Sequence, residues 1–246
     1  MGKIFDVNYV FDAIAELIKF LPMTLQITVL SMFLGLVLGL LLAIIKINRV
    51  PVLSQLTTIF VSFVRGTPLI VQLYLSYTGI PLLLKYYNLH HGTDLNVNNV
   101  PALLFVLVTF SLNEAGYNSE SLRAALLSVD KGQIEAAQSL GMTYGQVMKR
   151  VILPEAFVVA LPTLGNTLIG LLKGTSLAFV CAVVEMTAQA KILAGSNFRY
   201  FEVYLALALI YWVVTIIIEQ LIRLIEKKIA VPDEVVLRSK RSGDWL

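Results

Sequence analysis

Polar and ionisable side chains interrupt an apolar run near the middle of this chain, where they could bind a small charged molecule. The group consists of two amides, two carboxylates and a phenol, from Asn113, Glu114, Tyr117, Asn118 and Glu120. Asn113, Tyr117 and Glu120 follow one another at spacings of four and three, so a helix presents them on one face. A charge inside hydrocarbon is costly and usually faces inward or has a function. A polar helix end near a membrane surface is the simpler alternative.

Arg65 interrupts an earlier apolar run, and Gln72 shares its helical face, so we expect both to point inward. Gly66 and Pro68 follow Arg65 and loosen the helical hydrogen bonds, which frees backbone carbonyls for other partners. Arg65 and this loosened backbone could line a pathway. Alternatively, Arg65 is a structural anchor that donates to carbonyls of a neighbouring helix.

Lys173, Thr175 and Ser176 form a third polar group, in the segment GLLKGTS. The segment has the residue types of a phosphate-binding loop in the wrong order, because that loop requires G-x-x-x-x-G-K-[ST]. We therefore expect no ATP site in this chain. Any energy from ATP must be supplied by another polypeptide.

Catalysis is not indicated by any arrangement of side chains. The sequence offers no Ser/His/Asp set and no paired carboxylates that would suggest an active site. His90 and His91 lie in a polar stretch without further ligands at metal-binding spacing, so we expect them to be solvated. The sequence thus predicts no enzyme activity, no metal site and no cofactor in this chain.

The composition is that of an integral membrane protein. The chain has 246 residues, of which 57% are hydrophobic and 14% charged, and its mean hydropathy is +0.79. Soluble domains usually carry about 25% charged residues. The single cysteine, Cys181, excludes a disulfide framework within the chain.

Five charge-poor runs are long enough to cross a bilayer as helices, which takes roughly 20 apolar residues. They cover residues 20–45, 50–84, 97–113, 151–184 and 200–222. The predicted fold is therefore all-α with about five transmembrane helices. Residues 1–19 are expected to form a short amphipathic helix, lying at the membrane surface or packed on its own protein. The transmembrane domain is predicted to span 20–226, followed by a tail at 227–246.

Lysine and arginine residues predict the orientation of these spans. Twelve of them fall on one side and five on the other, and the richer side is cytoplasmic by the positive-inside rule. The N-terminus is then outside and the C-terminus and its tail are inside, as an odd number of spans requires.

The connection at about 130–150 is polar and rich in helix-forming residues, and it falls on the cytoplasmic side. Gly141 can end a first helix, because glycine tolerates the left-handed conformation. Thr143 and Gln146 have the spacing of a capping box that starts a second helix. Such a helical hairpin suits docking into a partner's groove. An ordinary amphipathic loop is the alternative.

This connection resembles the "EAA" signature of ABC-importer permeases. Glu135-Ala136-Ala137 is followed after three residues by Gly141, and after nine more by the segment VILP at 151–154, in which valine replaces the usual isoleucine. FVRGTPLIVQL, KGQIEAAQSLGM and LLKGTSL together are similar to the polar amino-acid (histidine/glutamine permease) branch, over about residues 20–230.

The resemblance implies a permease subunit of a bacterial inner-membrane importer that works by alternating access. The implied partners are cytoplasmic ATP-binding subunits, which hold ATP and Mg, a second permease subunit and an extracytoplasmic amino-acid-binding protein; no nucleic acid is implied. The hairpin would be the coupling segment that docks on the ATPase. The residues carried over to that role are Glu135, Ala136, Ala137, Gly141, Leu153 and Pro154.

A zwitterionic amino acid needs an acceptor for its ammonium group and donors for its carboxylate. We expect Glu114 as the acceptor, with Glu120 as the next candidate. The full set of predicted substrate-binding residues is Arg65, Gln72, Asn113, Glu114, Tyr117, Lys173, Thr175 and Ser176. Cationic amino acids, glutamine-like ones and cystine all remain open, as does the choice between a homodimer and a heterodimer.

Two other functions compete with this interpretation. An ion-coupled secondary transporter would use Glu114 or Glu120 and need no ATPase, but it should carry inverted repeats, which are not visible in the sequence. A non-transporting membrane scaffold would have little use for polar groups in the middle of a span.

Overall fold

Helices and the turns between them make up the structure, a computed structural model that describes residues 5–95 and 100–229. No strand occurs within those ranges, in agreement with the predicted all-α fold. The α-helices there are α1 (Val7–Leu17), α2 (Leu21–Ile47), α3 (Leu53–Gly66), α4 (Leu69–His91), α5 (Ala102–Leu127), α6 (Lys131–Ser139), α7 (Tyr144–Val147), α8 (Leu153–Gly174), α9 (Met186–Asn197) and α10 (Tyr200–Ile229). Short 3-10 helices at Ile18–Phe20 and Thr175–Cys181 and a π-helix at Met148–Ile152 connect some of them.

α2 and α5 pack side by side and form the centre of the molecule. Two glycines on α2 allow the close approach. A Cβ added to Gly35 would lie 2.5 Å from the Cβ of Glu114, and one added to Gly39 would lie 3.1 Å from the Cβ of Asn118. Small residues are the usual means by which membrane helices come close. α3, α4 and α8 pack against the remaining sides of α5.

The second predicted span, residues 50–84, is two helices rather than one. α3 and α4 meet at a bend of 110°. Pro68 has no N–H to continue a helix, and its ring restricts Thr67 to an extended conformation (φ −118°, ψ 144°). The sequence predicted a loosened backbone here, and the structure has a complete break.

Three helical segments are each long and apolar enough to cross a membrane: Val7–Ile47, Tyr144–Cys181 and Tyr200–Ile229. The bent pair α3–α4 adds a fourth if it counts as one span. α5 has 26 residues, but its second half carries the polar group that begins at Asn113. The third predicted span was expected to start at residue 97, which lies outside the described residues; its helix begins at Ala102.

α1 leads through a 3-10 turn into α2, and the joined segment of 41 residues would measure about 60 Å at 1.5 Å per residue. This is about twice the roughly 30 Å of a bilayer's hydrocarbon core. Val10, Ala13 and Leu17 are buried in a hydrophobic cluster with residues of α9 and α10. Of the two alternatives for residues 1–19, packing on its own protein is therefore the one observed over Val7–Leu17.

The polar connection between α5 and α8 folds into the predicted helical hairpin. Asp130 caps α6, and Gly141 follows the helix with φ +79°, in the region that favours glycine. Thr143 and Gln146 form the predicted capping box at the start of α7. The hairpin is a defined local structure rather than an irregular loop.

A π-helix, Met148–Ile152, joins α7 to α8. Its geometry is fixed by the bond from the Leu153 N–H to the carbonyl oxygen of Met148, five residues earlier. Pro154 explains why the helix widens at this point. Its ring would clash with the carbonyl of Arg150 in a regular α-helix, and it has no N–H to donate.

α10 continues beyond the predicted end of the fifth span at residue 222 and reaches Ile229, with Lys227 and Lys228 in its last turn. The predicted cytoplasmic tail, 227–246, thus begins inside the helix. Its residues 230–246 lie outside the described residues.

Candidate functional site

A cavity of about 570 Å³ opens where the end of α2 meets α3 and the second half of α5. It is lined by Lys46, Thr58, Val61, Ser62, Arg65, Gly66, Tyr117 and Glu120. α3 and α5 approach closely beside it because of Gly116, whose added Cβ would lie 2.8 Å from a methyl carbon of Val64. Six of the eight lining residues have polar side chains, so the cavity suits a small polar molecule.

Arg65 lies in the last turn of α3, with its guanidinium carbon 5.5 Å from the centre of the Tyr117 ring. Both side chains are exposed at the cavity. An aromatic face attracts a cation that lies over it, which favours this position of the Arg65 side chain. A guanidinium is always charged and can bind a carboxylate with two parallel hydrogen bonds. The structure therefore brings these two predicted site residues together in a form that can bind an anion.

Glu120 lies one turn after Tyr117 and is held by two cations. Lys46 from α2 contacts one carboxylate oxygen, and Arg123 Nη2 lies 3.0 Å from the other. The side chains of Lys46 and Glu120 are 19% and 21% exposed, so water only partly screens the pair. Lys46 was not predicted as a site residue. In the sequence it is simply a cation that follows the first apolar run. With Arg65 included, the lining carries more positive than negative charge.

Gln72 and Asn113 brace the break between α3 and α4. The Gln72 amide nitrogen donates to the carbonyl oxygens of Val64 (2.8 Å) and Thr67 (3.1 Å). Its amide oxygen accepts from the Asn113 side chain at 3.1 Å. The helix end exposed by Pro68 is satisfied in this way. Both residues were predicted to bind substrate, and neither lines the cavity.

Glu114 points away from the cavity and packs against α2. It is only 6% exposed, and its Cβ faces Gly35. Its Oε2 atom has no hydrogen-bond partner among the described residues. The predicted ammonium acceptor thus lies between two helices in this conformation, and the carboxylate at the cavity belongs to Glu120.

Lys173 lies in the last turn of α8, and Thr175 and Ser176 begin the 3-10 helix that follows it. None of the three lines the cavity. Lys173 is exposed. Thr175 is fully buried and donates to the carbonyl oxygen of Leu172 at 2.7 Å. The predicted substrate-binding set therefore divides among four places: the cavity, the braced helix break, the α2–α5 contact at Glu114 and the end of α8.

The hairpin presents the predicted coupling residues in different ways. Glu135, Ala136 and Gly141 are exposed, as are Leu153 and Pro154 at the start of α8, whereas Ala137 is buried. Sequence reasoning missed two large side chains there, Leu140 at 80% and Tyr144 at 66% exposure. The available signal was an apolar and an aromatic residue flanking the glycine of an otherwise polar connection.

The family profile described as "Binding-protein-dependent transport system inner membrane component" matches residues 35–231. The chain belongs to this family. The resemblance proposed from the EAA signature is thereby confirmed, and the protein is a permease component of the bacterial inner membrane.

Named relatives of this permease cover nearly its whole length. It is 44% identical over 227 residues to "Probable amino-acid permease protein YxeN" of Bacillus subtilis (strain 168), covering 92% of this chain and 97% of that one. It is 40% identical over 229 residues to "L-cystine transport system permease protein TcyL" of the same organism, covering 93% of each. A solved structure, "Crystal structure of an amino acid ABC transporter with histidines", is similar with TM-score 0.77 and 34% identity, covering 92% of this permease and 100% of that chain.

Family membership separates transport from ATP hydrolysis. Permeases of this family are membrane components of importers that depend on a binding protein, and the ATPase of such ABC importers is a separate subunit. The permease is therefore not itself the enzyme of the system. Its cavity is a candidate site for a solute rather than for a nucleotide.

Proposed function

We propose that this permease carries a polar amino acid across the inner membrane by alternating access, driven by ATPase subunits on the cytoplasmic side. The observation that carries the proposal is the cavity in which Arg65 and Tyr117 are exposed beside the paired Glu120. Relatives named for cystine and glutamine transport support the substrate class, because those solutes share the α-carboxylate and α-ammonium groups.

In this proposal Arg65 binds the α-carboxylate of the solute. The α-ammonium group binds Glu120 by replacing Lys46, and the Tyr117 ring supplies a second surface for that cation. The exchange keeps the carboxylate paired, and the freed Lys46 ammonium lines the same cavity, where water can solvate it. Glu120 thus takes the role first expected of Glu114, which instead packs against α2.

The proposed topology has five crossings: α2, the bent pair α3–α4, α5, α8 and α10. The N-terminus is outside and the C-terminus is cytoplasmic. The excess of lysine and arginine on the side of the hairpin supports this orientation. The cavity then lies toward the cytoplasmic ends of α2 and α5, since Lys46 belongs to the last turn of α2.

The α6–α7 hairpin is proposed to dock in a groove of the ATPase subunit, with Leu140 and Tyr144 as the apolar contacts and Gly141 setting the turn. A second permease subunit, either a copy of this chain or a homologue, is proposed to cover the exposed polar face of α8, which includes Thr163, Asn166 and Lys173. ATP and Mg belong to the ATPase. An ion-coupled mechanism through Glu120 gains no support, because the matching family is that of binding-protein-dependent transport systems.

The test is uptake by the reconstituted complex of permease, ATPase and binding protein. Arg65→Ala should raise the half-saturating concentration at the transmembrane site roughly tenfold to a hundredfold, the value of one charge-assisted hydrogen bond. Solute binding to the isolated binding protein should not change. Lys85→Ala, which removes an exposed cation of α4 outside the cavity, is the matched control. An assembled Arg65→Ala complex with unchanged half-saturation would contradict the assignment of Arg65.

A further inference from the structure

Glu185 is a fully buried carboxylate that the proposed substrate site does not use. It is 0% exposed and immediately precedes α9. One oxygen accepts the N–H of Ala188 and the other that of Thr187, each at 2.9 Å. The carboxylate thus caps α9 and satisfies two of the backbone donors that a helix start leaves without partners.

The same carboxylate also reaches two other helices. The Thr24 hydroxyl of α2 and the Tyr211 hydroxyl of α10 each lie 3.4 Å from its Oε2 atom. Thr24 in turn accepts the N–H of Met186 at 3.3 Å. Glu185 therefore joins the start of α2, the start of α9 and the middle of α10 through one group.

Every hydrogen-bond donor to Glu185 among the described residues is electrically neutral. A buried carboxylate without a cation is costly, and it is retained only where several hydrogen bonds hold it in one geometry. Such bonds depend steeply on distance and angle, so a small displacement of the helices weakens all of them together. A contact of this kind favours two discrete arrangements over a continuous range.

The position of the network indicates what it holds. The segment 175–197, formed by the 3-10 helix and α9, connects α8 to α10 and contacts α2, α4 and α5. Thr24 belongs to the first turn of α2, whereas the cavity with Lys46 lies at the other end of that helix. The network therefore ties helices together at the end of the molecule opposite the cavity.

We infer that Glu185 is a positioning residue for transport: through Thr24 and Tyr211 it holds the segment 175–197 closed over the end opposite the cavity until the ATPase subunits act. The inference rests on the proposed function. A weaker closure would let that end open without the binding protein, so the complex would hydrolyse ATP that moves no solute.

The experiment compares wild type, Glu185→Gln, Glu185→Asp and Tyr211→Phe in proteoliposomes with ATPase and binding protein. The readout is the number of ATP molecules hydrolysed per amino acid imported, which a loss of folded complex alone does not change. Glu185→Gln should raise this ratio about threefold to tenfold, because a shift of 1.4 kcal/mol is tenfold in an equilibrium. Tyr211→Phe, which removes one neutral donor, should raise it less.

Glu202→Gln is the matched control. Glu202 is another buried glutamate, 4% exposed, on the first turn of α10, but it pairs with Arg199 and lies outside the network. Its ratio should stay within about twofold of wild type. If Glu185→Gln does not assemble, Tyr211→Phe decides, since it keeps the carboxylate. If the assembled variants show an unchanged ratio while the wild-type complex imports amino acid, the inference is wrong and the proposed function is unaffected. A wild-type complex that imports no amino acid overturns the proposed function.

Discussion

Two carboxylates lie near opposite ends of α2 and are satisfied in different ways. Glu120 pairs with Lys46 in the last turn of α2, and Glu185 accepts a hydrogen bond from Thr24 in its first turn. Thr24 and Lys46 are separated by about 33 Å along the helix at 1.5 Å per residue, close to the thickness of a bilayer's hydrocarbon core. A single helix thus provides a partner for a carboxylate near each of its two ends.

The difference between the two ends follows their accessibility. Glu120 is 21% exposed beside a cavity and has two cationic partners, so a ligand cation can replace one of them. Glu185 is 0% exposed, and its described donors are neutral groups in fixed positions. The chain places an exchangeable charge where the solute is proposed to bind, and a directional one where the closure is proposed to hold.

The largest expected effect concerns the close contact between α2 and α5, which fixes the positions of both ends of α2. Gly35→Ala places a Cβ 2.5 Å from that of Glu114 and must push α2 away from α5. We expect a loss of about 1 to 3 kcal/mol in the free energy of unfolding, measured by thermal unfolding of the purified complex in detergent. Gly79→Ala is the control, because its Cβ would meet no atom within 4 Å. Equal stability of the two variants would mean that the α2–α5 contact is more compliant than the structure indicates.

A smaller effect tests the ion pair between Lys46 and Glu120. Lys46→Met and Glu120→Gln should each destabilise the complex by about 1 to 2 kcal/mol, and the double variant by less than their sum, with a coupling of about 1 kcal/mol. High salt should reduce this coupling, because the pair is partly exposed. Additive effects of the two substitutions would show that Lys46 and Glu120 do not interact in solution.

The smallest effect concerns the hydrogen bonds of Thr24, at the end of α2 where Glu185 has neutral donors. Thr24→Val keeps the shape of the side chain but removes the donor to Glu185 and the acceptor for the Met186 N–H, which should cost about 1 kcal/mol and be insensitive to salt. Thr28→Val is the control one turn later, where the hydroxyl donates only to the carbonyl oxygen of Thr24 at 2.8 Å. A loss for Thr24→Val no greater than for Thr28→Val would remove Thr24 from the network.

Features that depend on neighbours in sequence could be predicted. The turn at Gly141 and the capping box of Thr143 and Gln146 were predicted because helix ends are set within a few residues. The weak point at Pro68 was also visible. Its 110° bend was not, because the bend is stabilised by Gln72 and Asn113, which meet only in the folded chain.

Contacts between distant segments had no local signal. Lys46 and Glu120 are 74 residues apart, and Thr24 and Glu185 are 161 apart. Glu114 was expected at a binding site because of its residue type and depth. Its direction is decided by Gly35 on another helix, and the polar side chains of α5 occupy more than one face, so periodicity could not select the side that meets α2.

The π-helix before α8 sets the rotation of the α6–α7 hairpin relative to α8, which a continuous α-helix would fix at a different angle. A π turn holds one residue more than an α turn, so the side chains before it are displaced by about 100° relative to those after it. The face that the α6–α7 hairpin presents and the face that α8 presents are therefore set independently. Inserting or deleting a single residue at Met148–Ile152 would therefore turn the hairpin by about 100° without turning the face of α8.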